Sequence, residues 1–269
     1  MTTSDTGKAL ASLLQTLEGR APACETPACP DPALIDPAEP LLAELLRSFL
    51  LWEAGTEAAQ AGLKRIARRV VDFNELRVCL PDEIVSMLGA DYPRAQERAL
   101  RMRAALTELF VREHAVTLQP IAAMSKRDAK AYLDSLEGVP PYVSARVSLL
   151  CLGVHAAPVD GRILHRLAEA GVVGADATEA SAAAVLERKI RAGEMQRSYA
   201  LLQWWADQLE EIPAAEAATD DGAAKGAAAS DGASSGGRKR SSKGSAGGVT
   251  ARAARTPRPR SSRTPRKKK

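Results

Sequence analysis

Two kinds of residue in this chain could do chemistry. One is a carboxylate, Asp160, in Pro158-Val159-Asp160-Gly161 at the expected start of a helix. An aspartate there is a good N-cap, worth about 0.5–2 kcal/mol. The other is a run of cations. From Arg238 to Lys269 there are 13 basic residues and no acids, among them Arg238, Lys239, Arg240, Arg258, Arg260, Arg263, Arg266, Lys267, Lys268 and Lys269. They are spaced by Pro, Ser and Thr. Such a run binds phosphate backbones without reading sequence, and its affinity falls steeply with salt. DNA is one polyanion it suits; RNA is another. Thr256 and Thr264 each open a Thr-Pro-Arg triplet and are candidate phosphorylation sites. The cysteines Cys24, Cys29, Cys79 and Cys151 are scattered, with no zinc spacing. They read as reduced thiols. His165 lacks a paired ligand or nucleophile nearby and reads as a surface or packing group, and His114 and His155 are read the same way.

The elements around Asp160 are expected to be helical. Aromatics are only 4% of the chain, while Ala and Leu abound. Leu10, Leu13, Leu14 and Leu17 mark a short amphipathic helix, followed by a Pro-rich stretch over residues 21–40. Leu41 to Trp52 is apolar on so much of its surface that it should be buried. The pattern from Glu57 to Val71 puts Leu63, Ile66, Val70 and Val71 on one face and Lys64, Arg65, Arg68 and Arg69 on the other. That basic face is either solvated or in touch with a phosphate backbone. Asp72 leads a turn into the next helix, and Pro81 to Leu88 is a short helix closed by Gly89. A long helix spans Tyr92 to His114. Lys126 to Ser135 and Tyr142 to Leu152 flank the tight turn Gly138-Val139-Pro140-Pro141. Helices follow from Asp160, over Ala177 to Ile190 and over Glu194 to Leu209.

The order helix, Gly-containing hairpin, helix, Val-Asp, helix resembles the helix-hairpin-helix DNA glycosylases related to endonuclease III. Leu136, Gly138, Val139, Pro158, Val159 and Asp160 carry the resemblance, and Asp72-Phe73-Asn74-Glu75-Leu76-Arg77 is similar to a phrase of cluster-lacking relatives. The resemblance implies that the hairpin, Gly138 and Val139 included, holds a DNA phosphate through backbone N–H groups. It implies that Asp160 serves an excision reaction on an extruded base, stabilising positive charge on the sugar or helping to activate the nucleophile. Departures are as informative. Pro140 and Pro141 have no N–H to donate. The family's glutamine wedge is missing from Leu51-Trp52-Glu53-Ala54-Gly55-Thr56, where Trp52 is either a stacking wedge or a core residue. Tyr142 stands where bifunctional members carry their lysine, and no lysine lies between Ala131 and Arg188, so a Schiff-base lyase step is not expected. Tyr142 is then a pocket wall or polar partner, or a packing residue. No cysteine follows Cys151, so no iron–sulfur cluster is expected, nor any other cofactor or metal.

These readings make an all-α protein: a two-lobed glycosylase-like helical domain with a disordered basic C-terminal tail. Residues 1–37 form a helix and Pro-rich appendage, 38–212 the domain, 213–237 a flexible linker and 238–269 the tail. From Pro213 onward there are 14 Lys and Arg against 4 Asp and Glu, a net +10; the rest carries 23 against 29, a net −6. The expected function is DNA binding of the base-excision-repair type, with monofunctional N-glycosylase activity if Asp160 is active. The alternatives are a catalytically silent DNA binder of the same fold and an RNA-binding or interaction module. No apolar run approaches the ~18 residues of a membrane span. A monomer is expected in the cytoplasm, with the nucleoid, or in a nucleus.

Overall fold

The computed structural model describes residues 3–21 and 35–208. The chain divides into two units, residues 1–220 and 221–269, and every described residue belongs to the first. Cys24, Cys29, the two Thr-Pro-Arg triplets and the basic residues from Arg238 to Lys269 lie outside the described residues.

Eleven α-helices are described: α1 Thr3–Arg20, α2 Pro40–Leu51, α3 Thr56–Ala67, α4 Phe73–Val78, α5 Pro81–Leu88, α6 Ala95–Glu113, α7 Lys126–Asp134, α8 Pro141–Cys151, α9 Gly161–Glu169, α10 Glu179–Lys189 and α11 Met195–Ala206. A 3-10 helix, Gln119–Ala123, precedes α7. The starts follow local chemistry. Asp72, Ser125, Asp160 and Thr178 cap α4, α7, α9 and α10 by accepting a backbone N–H three residues on. Proline opens α2, α5 and α8 in the first turn, where its missing N–H costs nothing.

Two groups of helices meet at α2 and α8, which pack on each other. One group sets α3 against α2 and α5, and α6 against α4 and α5. The other sets α11 against α1, α9 and α8. Leu10 and Leu17 of α1 are buried, so the N-terminal helix belongs to the core. In α2, Leu42, Leu45, Leu46, Phe49 and Leu50 are buried, and so is Glu44. Its charge is met by Arg146 of α8, an equally buried ion pair; Arg146 also donates to Ser48 Oγ at 2.9 Å and Tyr199 Oη at 2.8 Å. The C-terminus of α2 is closed by Arg98 of α6, which is fully buried and donates to the carbonyls of Phe49, Trp52 and Pro93. Burial pushes that guanidinium down to about 10.

Val71, expected on the apolar face, lies beyond the end of α3 and is exposed. The basic face expected on α3 is only partly that. Arg65 reaches back to the carbonyls of Met87 and Leu88 and caps α5; Lys64, Arg68 and Arg69 stay exposed. Trp52 is a core residue, 6% exposed, with Arg94, Arg98 and Arg101 guanidiniums 5.3–5.7 Å from its ring.

Candidate functional site

The hairpin between α7 and α8 is set by Gly138, whose φ is +79°. A Cβ there would lie 2.6 Å from the carbonyl oxygen of Arg101 and 3.2 Å from Ala104 Cβ. Glycine is therefore required for the turn to lie on α6, which is a packing reason rather than room for a phosphate. The turn's amides are largely committed: Glu137 N–H donates to the Glu108 carboxylate and Val139 N–H to Leu136 O at 3.3 Å. Val139 is half-buried, and Pro140 and Pro141 offer no donor. The first-turn amides of Tyr142 and Val143 have no intrahelical acceptor, which makes them the helix donors left at this end.

Asp160 is fully buried. One carboxylate oxygen accepts from Ile163 N–H at 3.0 Å, the capping bond of α9. The other accepts from Glu53 N–H at 3.1 Å, from the loop between α2 and α3. Burial, then the Glu53 charge, push Asp160 up to about 7. Backbone hydrogen bonds and Arg162 pull the other way without winning.

Glu53 completes the closure. Its side chain accepts from Gly161 N–H at 2.8 Å, at the first turn of α9. A Cβ at position 161 would lie 2.8 Å from Glu53 Oε1, so glycine leaves the room that this carboxylate fills. Glu53 itself has φ 55°, the left-handed region, unusual for a residue with a side chain. Beside it, Arg162 donates to Ala54 O and Ala206 O and pairs with Asp207 at 3.3 Å. Asp207 also accepts from Thr56 N–H and Oγ1. The α2–α3 loop is thus tied to α9 and α11 along its length.

Behind Asp160 lies Tyr142, 1% exposed. Its hydroxyl sits 2.9 Å from that of Tyr199 and donates to Gln203 Oε1 at 3.1 Å. Gln203 donates onward to Asp207 at 3.0 Å. Burial raises the Tyr142 phenol well above its ordinary value, so it stays neutral and acts as donor and acceptor. A polar chain therefore runs from Glu44 through Arg146, Tyr199, Tyr142 and Gln203 to Asp207.

A cleft of about 490 Å³ opens between α8 and α10, floored by Tyr142, Ala145, Ala157 and Val159 and rimmed by Lys130 and Glu179. It reaches the residue before Asp160 but not Asp160 itself. The role that the resemblance implies for Asp160 on an extruded base needs an open carboxyl, and this one is buried, with both oxygens taken up by the N–H groups of Glu53 and Ile163. The structure does bring Tyr142 and Asp160 together. The reading of the sequence overlooked Glu53, Arg162, Tyr199, Gln203 and Asp207. The one signal pointing to any of them was Glu53 itself, an acid where the resemblance implies a glutamine-bearing loop.

The described helices match solved structures of DNA glycosylases. The trapped endonuclease III–DNA covalent intermediate, an estranged-adenine complex, aligns with a TM-score of 0.54 at 12% identity, over 76% of this chain and 86% of that one. The H. pylori 3-methyladenine DNA glycosylase MagIII bound to 1,N6-ethenoadenine aligns at 0.51 and 12% identity, over 78% of this chain and 100% of that one. A thermostable thymine-DNA glycosylase aligns at 0.50 and 16% identity, over 79% of this chain and 91% of that one. No family model matches the sequence, and no curated protein does. The described residues have the all-helical helix-hairpin-helix DNA glycosylase fold.

Proposed function

We propose that this chain, built on the DNA glycosylase fold, is a DNA-binding protein of the base-excision-repair type whose central carboxylate is closed to a nucleotide. One observation carries the reading: Asp160 is fully buried, with both oxygens accepting backbone N–H groups. A carboxylate so placed positions α9 and the α2–α3 loop, and it has no free face to offer a sugar or a water. Glu137, Pro140 and Pro141 leave few hairpin donors, so phosphate contacts fall to the basic residues from Arg238 to Lys269. RNA competes for those contacts. The protein then resides with the cell's DNA, in a nucleoid or a nucleus, and acts without an iron–sulfur cluster.

A second reading is a monofunctional N-glycosylase that works after the site opens. It is favoured by the Asp160 carboxyl lying near neutrality at about 7, the range suited to acid–base work, and by Tyr142 flooring an open cleft. A lesion panel separates the two. Duplexes carrying uracil, mismatched thymine, adenine opposite 8-oxoguanine, and alkylated bases are incubated with the full chain and then treated with alkali. The closed reading expects DNA binding and no breaks on any lesion. Breaks that vanish in Asp160→Asn would establish the glycosylase instead.

A further inference from the structure

We infer that the α2–α3 loop is a latch, in which Glu53 is a built-in occupant of the Asp160 site that an anionic sugar-phosphate of DNA displaces. The inference rests on the DNA-binding reading and states how that site is regulated.

The closure interlocks. Glu53 gives its N–H to Asp160 Oδ2 and takes the N–H of Gly161, so one residue satisfies both the carboxylate and the helix start behind it. Arg162 holds Ala54 O on the same loop, and Asp207 holds Thr56 where α3 begins. The whole segment must move for Asp160 to be exposed, which makes it a two-state element rather than a loose side chain.

The closed state also carries opposing terms. Glu53 adopts a left-handed backbone, which is strained for a residue with a side chain. Its carboxylate lies close enough to Asp160 and Glu179 that like charge opposes the ionisation of each. Arg162 favours the ionised form of Asp160, and Arg94 that of Glu179. A latch that is both strained and self-repelling opens at lower cost than one whose contacts all agree.

Glu53 meets the Gly161 N–H with a carboxylate at the start of α9, where an anion is favoured, and the anionic acceptor on DNA is a phosphate oxygen. Tyr142, Tyr199 and Gln203 fill the space behind Asp160. The opened site therefore admits a sugar more readily than a whole base, and the probe of choice is a duplex with a tetrahydrofuran abasic-site analogue.

Glu53→Gly removes the occupant and relieves the left-handed strain, so it should fold; Glu53→Ala is the second variant should it not. Affinity of the full chain for the abasic duplex is compared with that for the same duplex carrying an intact base, at matched salt. Wild type, which must first release Glu53, is expected to favour the abasic duplex by no more than about twofold. The variant is expected to favour the abasic duplex by about tenfold or more, and its Gly161 amide to exchange with solvent about tenfold faster. An abasic-to-intact ratio that is the same in wild type and in the folded variants overturns the latch. If no protein binds either duplex, the DNA-binding reading fails. The latch is then decided by the Gly161 amide alone, and exchange unchanged from wild type overturns it.

Discussion

Asp160 shows how one carboxylate can be structural in its bonds and reactive in its energetics. Two backbone N–H groups favour its charge, yet burial and the Glu53 charge win and raise it from 3.8 to about 7. Below pH 3.8 the group is protonated in the folded and unfolded chains alike. As pH rises toward 7, the unfolded chain ionises and the folded chain lags. The folded state then holds the extra proton, and this group's contribution to stability falls across that window. The slope is at most one proton, about 1.4 kcal/mol per pH unit. Asp160→Asn removes the term. Chemical denaturation at pH 4, 5.5 and 7 should show the wild-type minus variant stability difference shrinking as pH rises; a difference that is flat or grows contradicts the raised carboxyl. The capping role of Asp160 was legible, because Val-Asp-Gly before an apolar pattern is local information. Its burial was not. The decisive contact comes from Glu53, 107 positions away, and depends on a left-handed backbone that no side-chain pattern announces.

At the scale of helices, α2 and α8 are held by a buried charge pair, with Ser48 beside it, in a contact that is apolar elsewhere. Removing one partner strands the other without water, a loss of about 3–5 kcal/mol. Glu44→Leu and Arg146→Met should each cost that much by urea titration, and the double variant less than either alone. A double variant as unstable as the sum of the singles would show that the two residues act independently. Most helices were legible, and for stated reasons. Pro81 to Leu88 with Gly89 beyond it appears as read, because a first-turn proline and a left-handed glycine are local signals. The long helix proves to be Ala95–Glu113, shortened at both ends by left-handed Arg94 and His114. What escaped were the long cations. Arg65, Arg98 and Arg146 are spaced like surface residues, yet they close helix ends and neutralise Glu44. The hint was a glutamate inside a helix apolar all round, since such a charge must find a partner.

At the scale of the molecule, charge is divided along the chain: −6 before Pro213 and +10 from there on. An acidic helical body does not attract a polyanion, so the proposed affinity for DNA falls to the basic end. Deleting residues 238–269 should lower duplex affinity at low salt by about 100-fold or more and flatten its dependence on salt. Each lost phosphate contact removes about 0.9 from the log–log slope, which salt titrations by anisotropy would read. An undiminished slope would move the phosphate contacts onto the helical body. The body also carries its own optical reporter. Trp52 lies under three guanidiniums, one residue before Glu53, while Trp204 and Trp205 sit together on α11. With both α11 indoles replaced by phenylalanine, the remaining emission comes from the ring adjoining the latch. A shift in its colour on mixing with nucleic acid would time, in a stopped-flow cell, how fast the loop lets go.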